Sequence, residues 1–203
     1  MENVYKPILF STPMVLSILE NRKNQTRRTK GLEKLNERDD ILEIKLISDT
    51  DKSWFLVRTK SSGTYRLDCP YQIGDILWVR ETFVECNFKS FWYKATHELP
   101  GDCWKWKPSI FMPKKAARIF LKVKSVKVER LQDINNSDAI AEGVYEHPDG
   151  GFMNYLFIAG HVCAQHSFES LWRKINGRDS WTKNPFVWVI EFERIDKPLD
   201  FIV

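Results

Sequence analysis

Short apolar runs alternate with charged intervals along this chain, and the period of each run predicts its element. Residues 6–10 form an apolar run suited to a strand. Ser11-Thr12-Pro13 then offers an N-cap and a first-turn proline, and Met14, Val15, Ile18 and Leu19 recur at helical spacing on one face. The polar stretch Asn21-Arg22-Lys23-Asn24-Gln25-Thr26-Arg27-Arg28 ends that helix, so four cations crowd one threonine at or just past a helix C-terminus.

Residues 29–46 carry Leu32, Leu35, Ile41, Leu42 and Leu46 in a patchy helical pattern among many charges. Strands follow. Residues 54–59 and 64–67 flank Lys60-Ser61-Ser62-Gly63, a hairpin turn by composition. Residues 76–81 read as a strand, with 91–95 expected to pair with it, and the three prolines of 100–113 keep that segment irregular. Ile119, Leu121, Val123, Val126 and Val128 alternate with lysines as the longest strand signal, and their register breaks at Lys124-Ser125, as at a bulge. Asn136-Ser137-Asp138 starts a short helix that Gly143 ends. Residues 145–161 contain the Asp149-Gly150-Gly151 turn, 167–175 form an amphipathic helix with Phe168, Leu171, Trp172 and Ile175 inward, and 186–195 close the chain as a strand. The order predicts an α+β fold, a small mixed barrel or curled sheet, in one domain over 1–203 with insertions at 29–67 and 145–161.

Composition narrows the class. A 203-residue chain with 43% hydrophobic and 29% charged residues is globular throughout. It has no run of about 18 apolar residues to cross a bilayer, and its N-terminus lacks the layout of a signal peptide. Cys69, Cys86, Cys103 and Cys163 are therefore expected as free thiols in a cytoplasmic setting, with no membrane partner. A net charge of +4 does not by itself identify a nucleic-acid partner, so the placement of the cations matters more. Trp104, Lys105, Trp106 and Lys107 interleave rings with cations, and Arg80, Lys114, Lys115 and Arg118 add further phosphate-binding candidates. Core packing is the competing reading for the rings, and it is favoured for Trp78.

Three constellations contain chemically competent residue types. Lys23 and Thr26 would share a face if the helix persisted that far, and a threonine hydroxyl becomes a nucleophile only when a base takes its proton. The same cations would equally satisfy the last carbonyls of a helix, so pattern alone leaves both readings open. Glu142 precedes the C-cap glycine, where the helix dipole disfavours a carboxylate. His161-x-Cys163-x-x-His166 holds ligand types at a spacing foreign to common zinc sites, so no metal is expected. The chain has no glycine-rich phosphate loop, no GxSxG elbow and no dinucleotide fingerprint, so no cofactor is expected.

Several segments, in order along almost the whole chain, resemble the ASCH-domain family of the PUA-like superfamily, especially its phage and prophage members. They are residues 6–14 (KPILFSTPM), 18–28 (ILENRKNQTRR), 71–81 (YQIGDILWVRE), 107–113 (KPSIFMP), 129–134 with 139–143, and 184–190 (NPFVWVI). The resemblance implies a PUA-like barrel with flanking helices and a cleft facing RNA or a nucleobase. One branch of the family is an amidohydrolase that removes acetate from 4-acetylcytidine; its motif falls on Lys23 as base, Thr26 as nucleophile and Glu142 as acid. Arg22, Arg27, Arg28 and Arg80 would then support the lysine or hold phosphate. Other readings are a non-catalytic module for RNA or modified DNA and a single-strand ribonuclease. The family's usual Gly-Arg-Lys-Thr reads Asn21-Arg22-Lys23-Asn24 here, and the glycine's replacement bears directly on the turn.

Overall fold

The computed structural model describes residues 3–48, 52–86, 90–99, 104–154 and 162–201. In chain order the elements are β1 (Tyr5–Leu9), α1 (Thr12–Leu19), β2 (Gln25–Arg28), α2 (Glu33–Asn36), β3 (Ile41–Ser48), β4 (Ser53–Thr59) and β5 (Gly63–Leu67). There follow β6 (Ile76–Arg80), β7 (Phe83–Glu85), β8 (Phe91–Tyr93), β9 (Phe120–Arg130), α3 (Asn136–Ala141), β10 (Tyr145–Glu146), β11 (Phe152–Met153), α4 (Ala164–Asn176) and β12 (Phe186–Ile195). The fold is mixed α+β, with more sheet than helix.

Five strands form the principal sheet in the order β1-β6-β9-β12-β2, with β1 parallel to β6 and the other pairs antiparallel. β9 and β12 are its spine because both alternate over a long span, and the pairing slips between Glu191 and Phe192, opposite the Lys124-Ser125 break. One face packs Val79, Leu121, Val123, Trp188 and Ile190 into the main core; the other packs Val187 and Val189 against α3 and α4. Trp188 is fully buried at the centre, and its Nε1 donates to Lys30 O at 3.2 Å. The sheet does not close into a barrel: among the described residues no ladder joins β1 to β2. Its outer strands nevertheless approach, since Arg28 Nη2 in β2 donates to Leu9 O in β1 at 2.9 Å.

In the predicted insertion at 29–67, the helical pattern of 29–46 yields only the short α2 before β3, and β3 joins the two expected strands, β4 and β5, in a three-stranded sheet. The leucines at helical spacing mislead here because β3 pairs along its length with β4, and Phe55 and Val57 carry this sheet onto the main core beside Trp188. The hairpin turn at 60–63 forms as expected. β8 pairs with β7 instead of β6, because β6 already lies between β1 and β9. In α4, Phe168, Leu171 and Trp172 face inward but Ile175, in the last turn, is half exposed. The 145–161 segment begins as the hairpin β10-β11; its residues 155–161 lie outside the described set. Among the described residues Cys69, Cys86 and Cys163 are free thiols, and no helix is long and apolar enough to cross a membrane.

Candidate active site beside strand β2

The site begins where α1 stops. Leu19 is the last helical residue, and Asn21 takes a left-handed φ of 58°. Its N–H donates to Ile18 O at 3.1 Å and the Arg22 N–H to Ser17 O at 2.8 Å, the paired bonds of a Schellman cap. Asparagine is the non-glycine residue best suited to that conformation, so Asn21 makes a turn that usually takes a glycine. The helix therefore does not bring Lys23 and Thr26 together; Thr26 sits in a strand, and side-chain pairing with α3 organises the corner instead.

Segment 25–28 is a strand although it reads QTRR, because its alternating side chains serve two faces. Arg27 lies opposite Val189 and projects toward α4, with its guanidinium 5.7 Å from the Phe168 ring centroid. Thr26 and Arg28 lie opposite Ile190 and Trp188 and point to the main-core side, with Arg28 over Phe10. Gln25, Thr26 and Arg27 are all buried, at a cost that only dense pairing can offset.

That pairing converges on Glu142, the C-cap of α3. Its Oε2 accepts from Lys23 Nζ at 2.6 Å and its Oε1 from Arg27 Nη1 at 3.3 Å. Lys23 Nζ also donates to Gln25 O at 2.8 Å and to Glu142 O at 2.9 Å, so all three ammonium hydrogens have acceptors. Arg27 further contacts Glu129 at 2.7 Å, Asp138 at 3.3 Å and the Gln25 side-chain oxygen at 2.6 Å. Asp138 and Glu142 are held in place by α3, whose N-cap Asn135 accepts from the Asp138 N–H at 2.9 Å. Burial pushes the Lys23 pKa below its ordinary value; the Glu142 carboxylate opposes that shift, while Arg28 and Arg27 add to it.

A cavity of about 160 Å³ opens at the unpaired edge of β2, where residues from both sheet faces meet. Thr26, Arg28 and Glu142 line it, opposite Phe168 and Trp172 of α4 and Met14 of α1. It is well below the ~300–1,000 Å³ of pockets that enclose a drug-sized ligand, and its size suits a single small ring with a short substituent. Lys23 lies behind Glu142 rather than in the wall, and no hydrogen bond joins it to Thr26 among the described residues. Arg27 Nε and Trp172 Nε1 are buried donors with no hydrogen-bond partner among the described residues.

The other sequence candidates lie elsewhere. Arg22 pairs with Glu20 and donates to Gly143 O at 3.2 Å, with Tyr145 beneath it. Arg118 forms a bidentate pair with Glu81 at 2.8 and 3.0 Å and stacks 3.9 Å from Tyr93; Lys115 pairs with Glu85 at 2.6 Å. Lys114 rests over Phe201. Trp104 and Trp106 are half-buried while Lys105 and Lys107 are exposed, and Arg80 donates to Ile110 O beside Trp78. Among the described residues of the 29–67 insertion, Thr29 and Lys30 reach the cavity wall. Cys163 precedes α4, which carries His166, while His161 and Cys103 lie outside the described residues. Sequence reasoning missed Gln25, Glu129, Asp138, Phe168 and Trp172 as site residues. Phe168 and Trp172 were legible only as inward-facing helix positions, and the acidic residues carry no local signal. Comparison with family models, with curated proteins and with solved structures found no match for this chain.

Proposed function

We propose that this chain is an ASCH-type amidohydrolase that takes one acylated nucleobase, in the manner of 4-acetylcytidine, into the cavity beside β2. The observation that carries the reading is that Thr26 and Glu142 line one cavity while Lys23 is hydrogen-bonded to Glu142 from behind. In this scheme the Lys23 proton passes to Glu142, and the freed amine, which has no hydrogen bond to Thr26 in this arrangement, turns to the Thr26 hydroxyl and takes its proton as that oxygen attacks the acyl carbon. Arg28 or Arg27 faces the oxyanion that develops. Glu142 then gives its proton to the departing ring amine as the C–N bond breaks, leaving an ester on Thr26 that water hydrolyses to acetate. The depressed Lys23 pKa favours the first transfer.

A second reading rests on a specific contact pattern. With all three Lys23 hydrogens engaged, the lysine is an ammonium held in a structural ion pair, which suits a non-catalytic module that binds RNA or modified DNA. Incubation with 4-acetylcytidine, with cytidine and acetate measured by chromatography, separates the two. The enzyme reading expects turnover by the wild type and none by Thr26→Ala, with Thr26→Ser retaining part of it. An inactive, folded wild type refutes it.

A further inference from the structure

An apolar ridge lies one strand away from the cavity, and nothing in the fold accounts for its exposure. Ile110 and Phe111 are 59% and 68% exposed in a single 3-10 turn, with Leu9 of β1 at 43%. The backbone that carries them is nonetheless tightly held. Pro108 and Pro113 bracket the turn, and Lys107 exchanges backbone hydrogen bonds with Phe83 at 2.8 and 3.1 Å. Arg80 donates to Ile110 O, and Met112, 1% exposed, anchors the end of the turn in a cluster with Phe83, Tyr93 and Ala116. An aromatic ring presented on a fixed backbone loses little entropy when a partner covers it.

A chain of contacts links the ridge to the cavity. Arg28, in the cavity wall, donates to Leu9 O; Leu9 pairs with Arg80 in the neighbouring strand; and Arg80 reaches Ile110. Arg28 and Arg80, which carry that chain, form no salt bridge among the described residues, and Lys105 and Lys107 are exposed in the segment that leads into the turn, Lys107 within electrostatic reach of Glu85. Lys115 and Arg118, by contrast, are neutralised by Glu85 and Glu81. An apolar ring and cations along a line of contacts that leads to a cavity sized for one ring match a partner that is flat, apolar on its faces and anionic along its backbone.

We propose that Phe111, with Ile110 and Leu9, is a stacking platform for the unpaired bases flanking the one in the cavity. The substrate is then a single-stranded nucleic acid rather than a free nucleoside. This rests on the nucleobase reading of the cavity and goes beyond it by moving the aromatic contact from Trp104 and Trp106 to Phe111. Base–aromatic stacking tolerates sequence, so affinity should depend on ring character at this position and fall with salt.

The test is fluorescence anisotropy of a labelled single-stranded RNA of mixed sequence with one central 4-acetylcytidine, alongside turnover of free 4-acetylcytidine. Phe111→Ala should bind the RNA roughly 5- to 100-fold more weakly, while Phe111→Trp retains binding. Leu199→Ala, at a more exposed apolar residue after β12, should be unchanged. Because Phe111 is exposed, melting curves should show the variants folded. Unaltered RNA affinity in Phe111→Ala, with the wild type active on the nucleoside, overturns the platform and leaves the cavity reading standing. A wild type that neither binds the RNA nor acts on the nucleoside overturns both. Self-association of the wild type that Phe111→Ala abolishes, without RNA binding, makes the ridge a protein interface and also overturns the platform.

Discussion

Truncating Glu142 tests the electrostatic core of the site most directly. Glu142 is 4% exposed and is the carboxylate within 2.6 Å of the Lys23 ammonium, whose side chain is fully buried. In Glu142→Ala, Arg27 keeps Glu129 and Asp138, whereas Lys23 keeps only two carbonyls. The loss therefore concentrates on Lys23. Leaving one member of a buried pair without its counter-charge costs about 3–5 kcal/mol. For a chain of this length each kcal/mol lowers Tm by about 2–4 °C, so the expected fall is roughly 6–20 °C. Urea unfolding followed by tryptophan fluorescence should show a lower midpoint at unchanged slope, which separates lost stability from a change in compactness. Removing both charges, in Lys23→Met with Glu142→Leu, should be milder than Glu142→Ala alone, since no orphan ammonium remains. A Glu142→Ala midpoint within about 0.5 kcal/mol of wild type, the range of surface substitutions, would refute the reasoning.

Two further outcomes follow from local geometry. Asn21→Gly should hold or raise the unfolding midpoint, whereas Asn21→Val should lower stability by roughly 1–2 kcal/mol, because only the β-branched residue is strained at φ 58°; equal midpoints for the two would contradict the Schellman cap. Burial pushes the Cys69 thiol up to about 12, so the folded state holds this proton while the unfolded state releases it near pH 8.5. Stability from this group is complete below about pH 8.5 and is lost as pH rises toward 12; Cys69→Ala should flatten that part of the alkaline unfolding profile, and a thiol reagent should reach Cys69 only after unfolding.

Where the signal was local, the sequence was readable. The β4-β5 hairpin, the long alternation of β9 and the slip near Lys124 each depend on residues within a few positions of one another. β2 was not readable, because a strand spelled QTRR has no apolar alternation; it is stabilised by carboxylates roughly a hundred residues away, on β9 and α3. The partner of β8 was misjudged because pairing among apolar strands is decided by the whole sheet. At the site, Lys23, Thr26 and Glu142 were named through a motif, and the structure joins the first and last directly and sets Thr26 in the shared wall. The condition under which α1 would bring Lys23 to Thr26 is not met, since the helix ends four residues before Lys23, as the polar segment after Leu19 suggested.

The gap between β1 and β2 affects how the chain behaves among its own copies. An open sheet leaves two strand edges able to template another chain, the usual starting point of edge-to-edge aggregation. β1 carries Pro7 at mid-strand, which has no N–H to offer, and Lys6 beside it is tied to Asp75 at 2.7 Å. β2 presents its free edge to the cavity and sends Arg28 across to Leu9. Each edge is thus blunted by a different device, so the sheet can stay open without inviting a second molecule to complete it.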